Sequence, residues 1–210
     1  MSSVGYYDEN ADRFFQDTVN ADMGALQRRF TELLPAGGRV LDAGCGSGRD
    51  AKVFTEMGYD VVAFDASEQM VQRAQAHTGL EVLQMTFDNV EWQTEFDGIW
   101  ASASLLHVPR AQMVEVCRRL RDALVPGGVL YFSFKHGSAE RSVSGRTFTD
   151  MNESSVRELV ALVNDLSVFE LWVTTDVRPG RGAETWVNCL ARRSHQTFDR
   201  CEDSDEPRSS

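Results

Sequence analysis

The stretch Val40-Leu41-Asp42-Ala43-Gly44-Cys45-Gly46-Ser47-Gly48-Arg49-Asp50 decides how this 210-residue chain folds. It opens inside a short apolar run, GRVLDAG, too brief and too β-branched for a helix, so the run reads as a strand. From Asp50 the period changes: Ala51, Phe54 and Met57 share one helical face over 50–57, and Gly58 supplies the stop. The next run, DVVAFD, reads as a second strand. Between strand and helix, glycines at every second position let the main chain pass where a Cβ would collide, and they tolerate positive φ. In an open α/β sheet, turns of this kind border the ligand crevice.

Outward from that turn the alternation continues. LEVLQM, FDGIWASASL and GVLYFSF are three further strand-like runs. Ser67 is placed to cap a helix whose apolar stripe is Met70, Val71 and Ala74. Residues 110–124 carry Met113, Val116, Cys117, Leu120 and Leu124 at helical spacing, closed by Pro126-Gly127-Gly128. This rhythm predicts a parallel sheet with helices on both faces. Residues 152–166 read as one more helix, after which FELWVTTDV and AETWVNCLARR, joined by the turn-rich 178–182, read as an antiparallel hairpin. The fold expected is α/β, with seven mostly parallel strands and an antiparallel C-terminal hairpin. Ahead of it, Phe14, Phe15, Val19, Met23, Leu26 and Phe30 give 12–34 an amphipathic look, so 1–36 is expected to form a helical extension of one or two helices covering the cleft. The core is expected over 37–198. Residues 199–210 hold five acids, two arginines and almost nothing apolar, the composition of a disordered tail.

Composition narrows the function. Twenty-one Lys and Arg against 32 Asp and Glu give −11, which opposes binding to nucleic acid or an anionic membrane surface. No run of ~20 apolar residues is present for a membrane span, and the first residues lack the basic and apolar regions of a secretory signal, so a cytoplasmic location is expected. Cys45, Cys117, Cys189 and Cys201 are scattered without a CxxC pair; reduced thiols and no metal site are expected.

The turn itself excludes two nucleotide-binding patterns. Counted from Gly44, the third glycine of GxGxxG falls on Arg49, and no GK[ST] follows for a P-loop. Instead Asp42, Gly44, Gly46 and Gly48 reproduce the acid-x-Gly-x-Gly-x-Gly of motif I in the class I S-adenosylmethionine (SAM) dependent methyltransferases, which this chain resembles from about 38 to 193. Asp65, 21 residues after Gly44, matches that family's second-strand acid, whose carboxylate accepts from both ribose hydroxyls. The resemblance implies a Rossmann-like SAM-binding core, S-adenosylhomocysteine (SAH) as product, Cys45 within the cofactor turn, Ala66 and Met70 flanking the adenosine, and Ala101 approaching the methionine moiety. Relatives often place an Asp after the third strand for the adenine amino group; here Thr86-Phe87 stand there, with Asp88 two positions late. The opening GYYDENADRFFQDT and the GCGSGRD turn are similar to the small bacterial branch that includes tellurite-resistance and quinone-type methyltransferases, which implies Tyr7 or Tyr6 near the methionine end.

For the acceptor, the sequence offers less. His107 in SLLHVPR lies just past the fourth strand and is either a general base, with an ordinary imidazole pKa near 6.5, or a residue capping the following turn. Residues 134–148, rich in Ser and Gly, with Arg141 and Arg146, and Arg181 in the hairpin loop, suggest either a lid for a small anionic acceptor or solvated loop charges. The acceptor expected is a small molecule, with protein or RNA methylation and SAM-binding regulation without turnover as alternatives. Monomer and homodimer are both open.

Overall fold

A computed structural model of the chain describes residues 3–195. The expected tail at 199–210, Cys201 and the last three residues of the expected core lie outside them.

The five runs become β1 (Arg39–Ala43), β2 (Asp60–Asp65), β3 (Val82–Gln84), β4 (Phe96–Ala101) and β5 (Leu124–Lys135). With β8 (Leu166–Thr175) and β9 (Thr185–Arg193) they make a seven-stranded sheet in the order β3-β2-β1-β4-β5-β9-β8. The pairs from β3 through β5 are parallel; β9 enters antiparallel to both β5 and β8. The chain fills one side of β1 with β2 and β3, then crosses to β4 on the other. That reversal opens a crevice beyond the C-terminal ends of β1 and β4, where the glycine turn and residues 102–104 emerge.

Helices α4 (Arg49–Glu56), α5 (Glu68–Thr78), α6 (Arg110–Ala123) and α7 (Glu153–Ala161) cover the sheet. Ser67 caps α5, its Oγ accepting from Met70 N at 3.2 Å, and Met70, Val71 and Ala74 are buried as their spacing predicts. Beside them on the same face of the sheet, Phe30, Phe54, Trp100 and Tyr131 interlock, the last two stacked at 3.9 Å between ring centroids. Burying each such ring contributes roughly 1.5–3 kcal/mol.

Five details differ from expectation. Met57 does not join the face of Ala51 and Phe54, because α4 ends at Glu56 and Met57, as C-cap, is 45% exposed. Leu124 leaves α6 in extended conformation to start β5, and Pro126-Gly127-Gly128 are accommodated where the β4–β5 register shifts between Phe96 and Gly98. The seventh helix is shorter than 152–166: Asn152 caps it, and Asp165, at φ 59°, turns the chain into β8. The N-terminal segment makes three helices, α1 (Ser3–Glu9), α2 (Ala11–Thr18) and α3 (Gly24–Thr31). Asp22 ends the break before α3 by accepting from Gly24 N at 2.9 Å. Finally, 134–148 is more ordered than a Ser- and Gly-rich loop suggests. It contains an antiparallel hairpin of β6 (Glu140–Val143) and β7 (Arg146–Thr149), separate from the main sheet. Among the described residues no helix is long and apolar enough to cross a membrane.

Candidate functional site

A cavity of about 430 Å³ fills the crevice beyond β1 and β4, within the range that holds a small ligand. One wall is the glycine turn. Gly44 and Gly46 take left-handed φ values of 77° and 55°, which cost a residue with a Cβ ~1–2 kcal/mol. At Gly44 a Cβ would also lie 2.6 Å from Ser104 Cβ. Ser104 is fixed there because its Oγ donates to the Ala43 carbonyl at 2.7 Å, stitching the turn to the loop after β4. Gly48 is different: it does not line the cavity, and its missing Cβ makes room for Ala74 and Thr78 of α5.

Two carboxylates from the sheet face the cavity. Asp65 Oδ2 accepts from Gly46 N and Oδ1 from Ser67 N, both at 2.9 Å, so this side chain shapes the turn. Burial raises its pKa, against the pull of those backbone N–H groups. Asp42 accepts from Ala51 N at 3.0 Å; burial and then the nearby Asp50 carboxylate hold its pKa well above the usual range, with Arg49 opposing. Cys45 lines the same wall, and burial, followed by these acids, pushes its thiol well up, which leaves it an unreactive spacer. Ala66, Met70, Met85, Thr86 and Phe87 continue the lining toward α5 and the turn after β3. Ala101 does not reach it: fully buried at the end of β4, it gives way to Ser102 and Ala103, and Ala103 sits at φ 52° with its N–H donated to Ser133 Oγ at 2.9 Å.

The opposite wall comes from α1, the loop after β4 and the β6–β7 hairpin. Tyr7 reaches from α1 to His107, with 2.7 Å between its hydroxyl oxygen and Nε2. His107 Nδ1 lies 2.8 Å from the Thr147 carbonyl. A carbonyl can only accept, so Nδ1 carries the proton and Nε2 accepts from Tyr7. Burial, followed in part by Arg146 and Lys135, pushes the imidazole down to about 4. The expectation of an ordinary imidazole near 6.5 is thereby corrected: at neutral pH this ring is uncharged, weakly basic and engaged at both nitrogens. Burial likewise raises the Tyr7 phenol, with Arg146 beside it working the other way.

The three candidate arginines separate. Arg141 lies outside the main cavity, held by Asp150 through Nε at 2.8 Å and Nη2 at 3.0 Å. Arg181 lines the cavity but faces Glu184 at 3.6 Å. Arg146 lines it too, stacked 4.1 Å from the Tyr6 ring centroid and 5.0 Å from that of Phe148.

Asp50 is the residue that local reading missed. Buried beside the turn, it accepts from Gln27 Nε2 at 2.6 Å, from Trp100 Nε1 at 2.9 Å and from Arg49 in bidentate fashion, and Arg49 in turn donates to the Thr18 carbonyl. One carboxylate thus joins the N-terminal helices to the sheet. Its only signal in the sequence is an acid following the last glycine.

Residues 40–128 match the protein family described as a methyltransferase domain. Over 108 residues the chain is 34% identical to a ubiquinone biosynthesis O-methyltransferase of Xanthomonas axonopodis pv. citri, covering 48% of this chain and 44% of that protein. A protein of the same name from Methylococcus capsulatus is 30% identical over 106 residues, 47% of this chain and 44% of its own length. The chain therefore spans less than half the length of the curated relatives it matches. Among solved structures, the Burkholderia thailandensis 1,6-didemethyltoxoflavin-N1-methyltransferase, solved with its namesake compound and SAH bound, superposes with a TM-score of 0.73 at 21% identity, covering 91% of this chain and 85% of that one. The [4+2]-cyclase SpnF superposes at 0.69 with 15% identity, covering 93% and 97%. At such identities the likeness is one of fold, and the two proteins are named for different reactions.

Proposed function

We propose that this chain, a member of the class I SAM-dependent methyltransferases, methylates an oxygen of a small organic acceptor. The observation that carries the reading is the meeting of Asp42, Gly44, Gly46 and Asp65 at one end of a cavity at the sheet's switch point. The donor set suits the cofactor: acids and carbonyls face a ligand bearing an ammonium and a sulfonium, and no lysine of a phosphate-binding loop is present. The oxygen acceptor is supported by the curated relatives. A small molecule, in preference to protein or RNA, is supported by the walled cavity and the −11 charge.

When bound, SAM supplies an electrophilic methyl carbon on a sulfonium. Asp65 would accept from the ribose hydroxyls with the lone pairs its backbone donors leave free. Ala66, Met70, Thr86 and Phe87 would hold the adenosine, and Asp42 and the Gly44–Gly46 main chain the amino-acid end. Helices α1 and α2 would act as the cover that excludes water, through Tyr7 and Phe14, both of which line the cavity. His107 fits a positioning role, fixing Tyr7. Few catalytic groups are needed, because in-line displacement is accelerated chiefly by holding the reactants aligned in a dry site.

Calorimetry with SAM, SAH and NAD tests the cofactor, with SAH binding expected in the wild type and lost in Asp65→Ala. NAD binding without SAH binding would overturn the reading. Transfer of a tritiated methyl group from SAM to a catechol and hydroxyquinone pool tests turnover, and tight SAH binding with no transfer to any small molecule would point to a binding protein instead.

A further inference from the structure

The charges lining the cavity are paired at every cation but one. Arg49 binds Asp50, Arg178 binds Asp176, and Lys135 and Arg181 share Glu184. Among the described cations of the cavity, Arg146 alone has no carboxylate partner, and its Nε is buried without a hydrogen bond. Aromatic rings hold it instead, those of Tyr6, Phe148 and, at 6.0 Å, Tyr7, whose neutral hydroxyl it also hydrogen-bonds. The cavity is therefore polarised, with Asp42 and Asp65 on the motif wall and an uncompensated guanidinium on the other. A half-buried cation that the fold leaves unpaired is costly unless an anion completes it.

The same wall lacks a free base. His107 commits Nδ1–H to the Thr147 carbonyl and Nε2 to the Tyr7 hydroxyl. A neutral hydroxyl acceptor would have to lose its proton to one of these groups. An acceptor already ionised would not: its oxygen lone pair forms the new C–O bond, the C–S pair returns to sulfur, and anion plus sulfonium become two neutral products.

We infer that the acceptor is bound as a preformed oxyanion with Arg146 as its counter-charge, which places it among acidic phenols, enols or carboxylates flanked by the rings of Tyr7 and Phe148. This rests on the methyl-transfer reading and names its substrate class. Arg146 neutralises a charge that disappears as the bond forms, so it serves binding more than the chemical step.

The test uses 4-nitrophenol, whose phenolate absorbs apart from the phenol, titrated into the SAH-loaded full chain. The bound probe is expected to ionise at least about one pH unit lower than the free one, a tenfold preference for the anion. The shift should vanish in Arg146→Met, remain in part in Arg146→Lys and survive in His107→Gln. A bound probe that stays a phenol, or no probe binding, overturns the inference. A shift lost in His107→Gln and kept in Arg146→Met would make the imidazole the proton acceptor and overturn it equally. Failure of SAH itself to bind would instead sink the methyltransferase reading, so the two failures are distinguishable.

Discussion

The two walls of the cavity are built in opposite ways. The motif wall is local: Asp42 to Asp50 is one continuous turn, and its second acid arrives on the adjacent strand, paired Asp42 to Ala63 and Ala43 to Phe64. The facing wall is assembled at long range, Tyr7 from α1 meeting His107 a hundred residues on and Ser3 accepting from Thr147 N at 3.0 Å. A strand-turn-helix fixes its geometry through its own φ values and glycines. A wall of distant pieces depends on a few side-chain contacts, and so should be easier to open and quicker to diverge.

The strongest way to break this contrast is at the joint between the two. Asp50→Ala removes the carboxylate that holds Arg49, Gln27 and Trp100 together and leaves the Arg49 guanidinium buried and uncompensated. Loss of one partner of a buried pair costs ~3–5 kcal/mol. Chemical denaturation should show that loss, and hydrogen exchange should show α2 and α3 loosened while β1 stays protected. A cost below about 1 kcal/mol would mean Asp50 is not the joint.

Next in size is the motif wall itself. Gly44→Ala combines left-handed φ with a 2.6 Å approach to the anchored Ser104, which should cost about 3 kcal/mol and lower Tm by ~6–12 °C in a domain of this size. Gly46→Ala meets only Phe14 at 3.4 Å, so it should cost about 1–2 kcal/mol, mostly from φ, while still weakening SAH. Equal melting temperatures for the two variants would refute the local account of this wall.

The distant wall should reveal itself through pH. An unfolded histidine titrates near 6.5, whereas native His107 is pushed down to about 4. As pH falls between those values the unfolded chain binds a proton that the native chain refuses, so stability is lost on acidification at a slope approaching ~1.4 kcal/mol per pH unit. His107→Gln should flatten that slope. Urea midpoints at several pH values for both proteins check it, and parallel lines would show that the imidazole is not held neutral.

What could be read from the sequence follows the same division. The five parallel strands, the Ser67 cap and the acid-glycine turn were legible because each is set by residues within a few positions of one another. The family resemblance places Gly48 and Ala101 at the cleft, yet one makes room for α5 and the other ends inside the sheet; facing direction depends on which neighbour packs where. That Arg141 is neutralised by Asp150 while Arg146 is not depends on the β6–β7 register, which puts Arg141 opposite Phe148 and Arg146 opposite Val143. A Ser- and Gly-rich segment gave no sign of that pairing.

The smallest effect is expected from Tyr7→Phe. The substitution keeps the ring against Phe14 and His107, with centroids 4.8 and 5.3 Å away, and removes only the hydroxyl that donates to Nε2. A single net hydrogen bond of this kind contributes ~0.5–1.5 kcal/mol, so global stability should fall by about 1 kcal/mol. Local opening should respond more than the global value. Asp8, the next residue, still ties α1 to the start of α5 by accepting from Ser67 Oγ at 2.6 Å, and Ser3 still accepts from Thr147 N, so what the helix loses is its hydrogen bond to His107. Amide exchange in α1 should therefore quicken on the His107 side. Unchanged exchange there would mean that ring packing, with Ser3 and Asp8, holds the cover by itself, and that the hydroxyl of Tyr7 is kept for the acceptor.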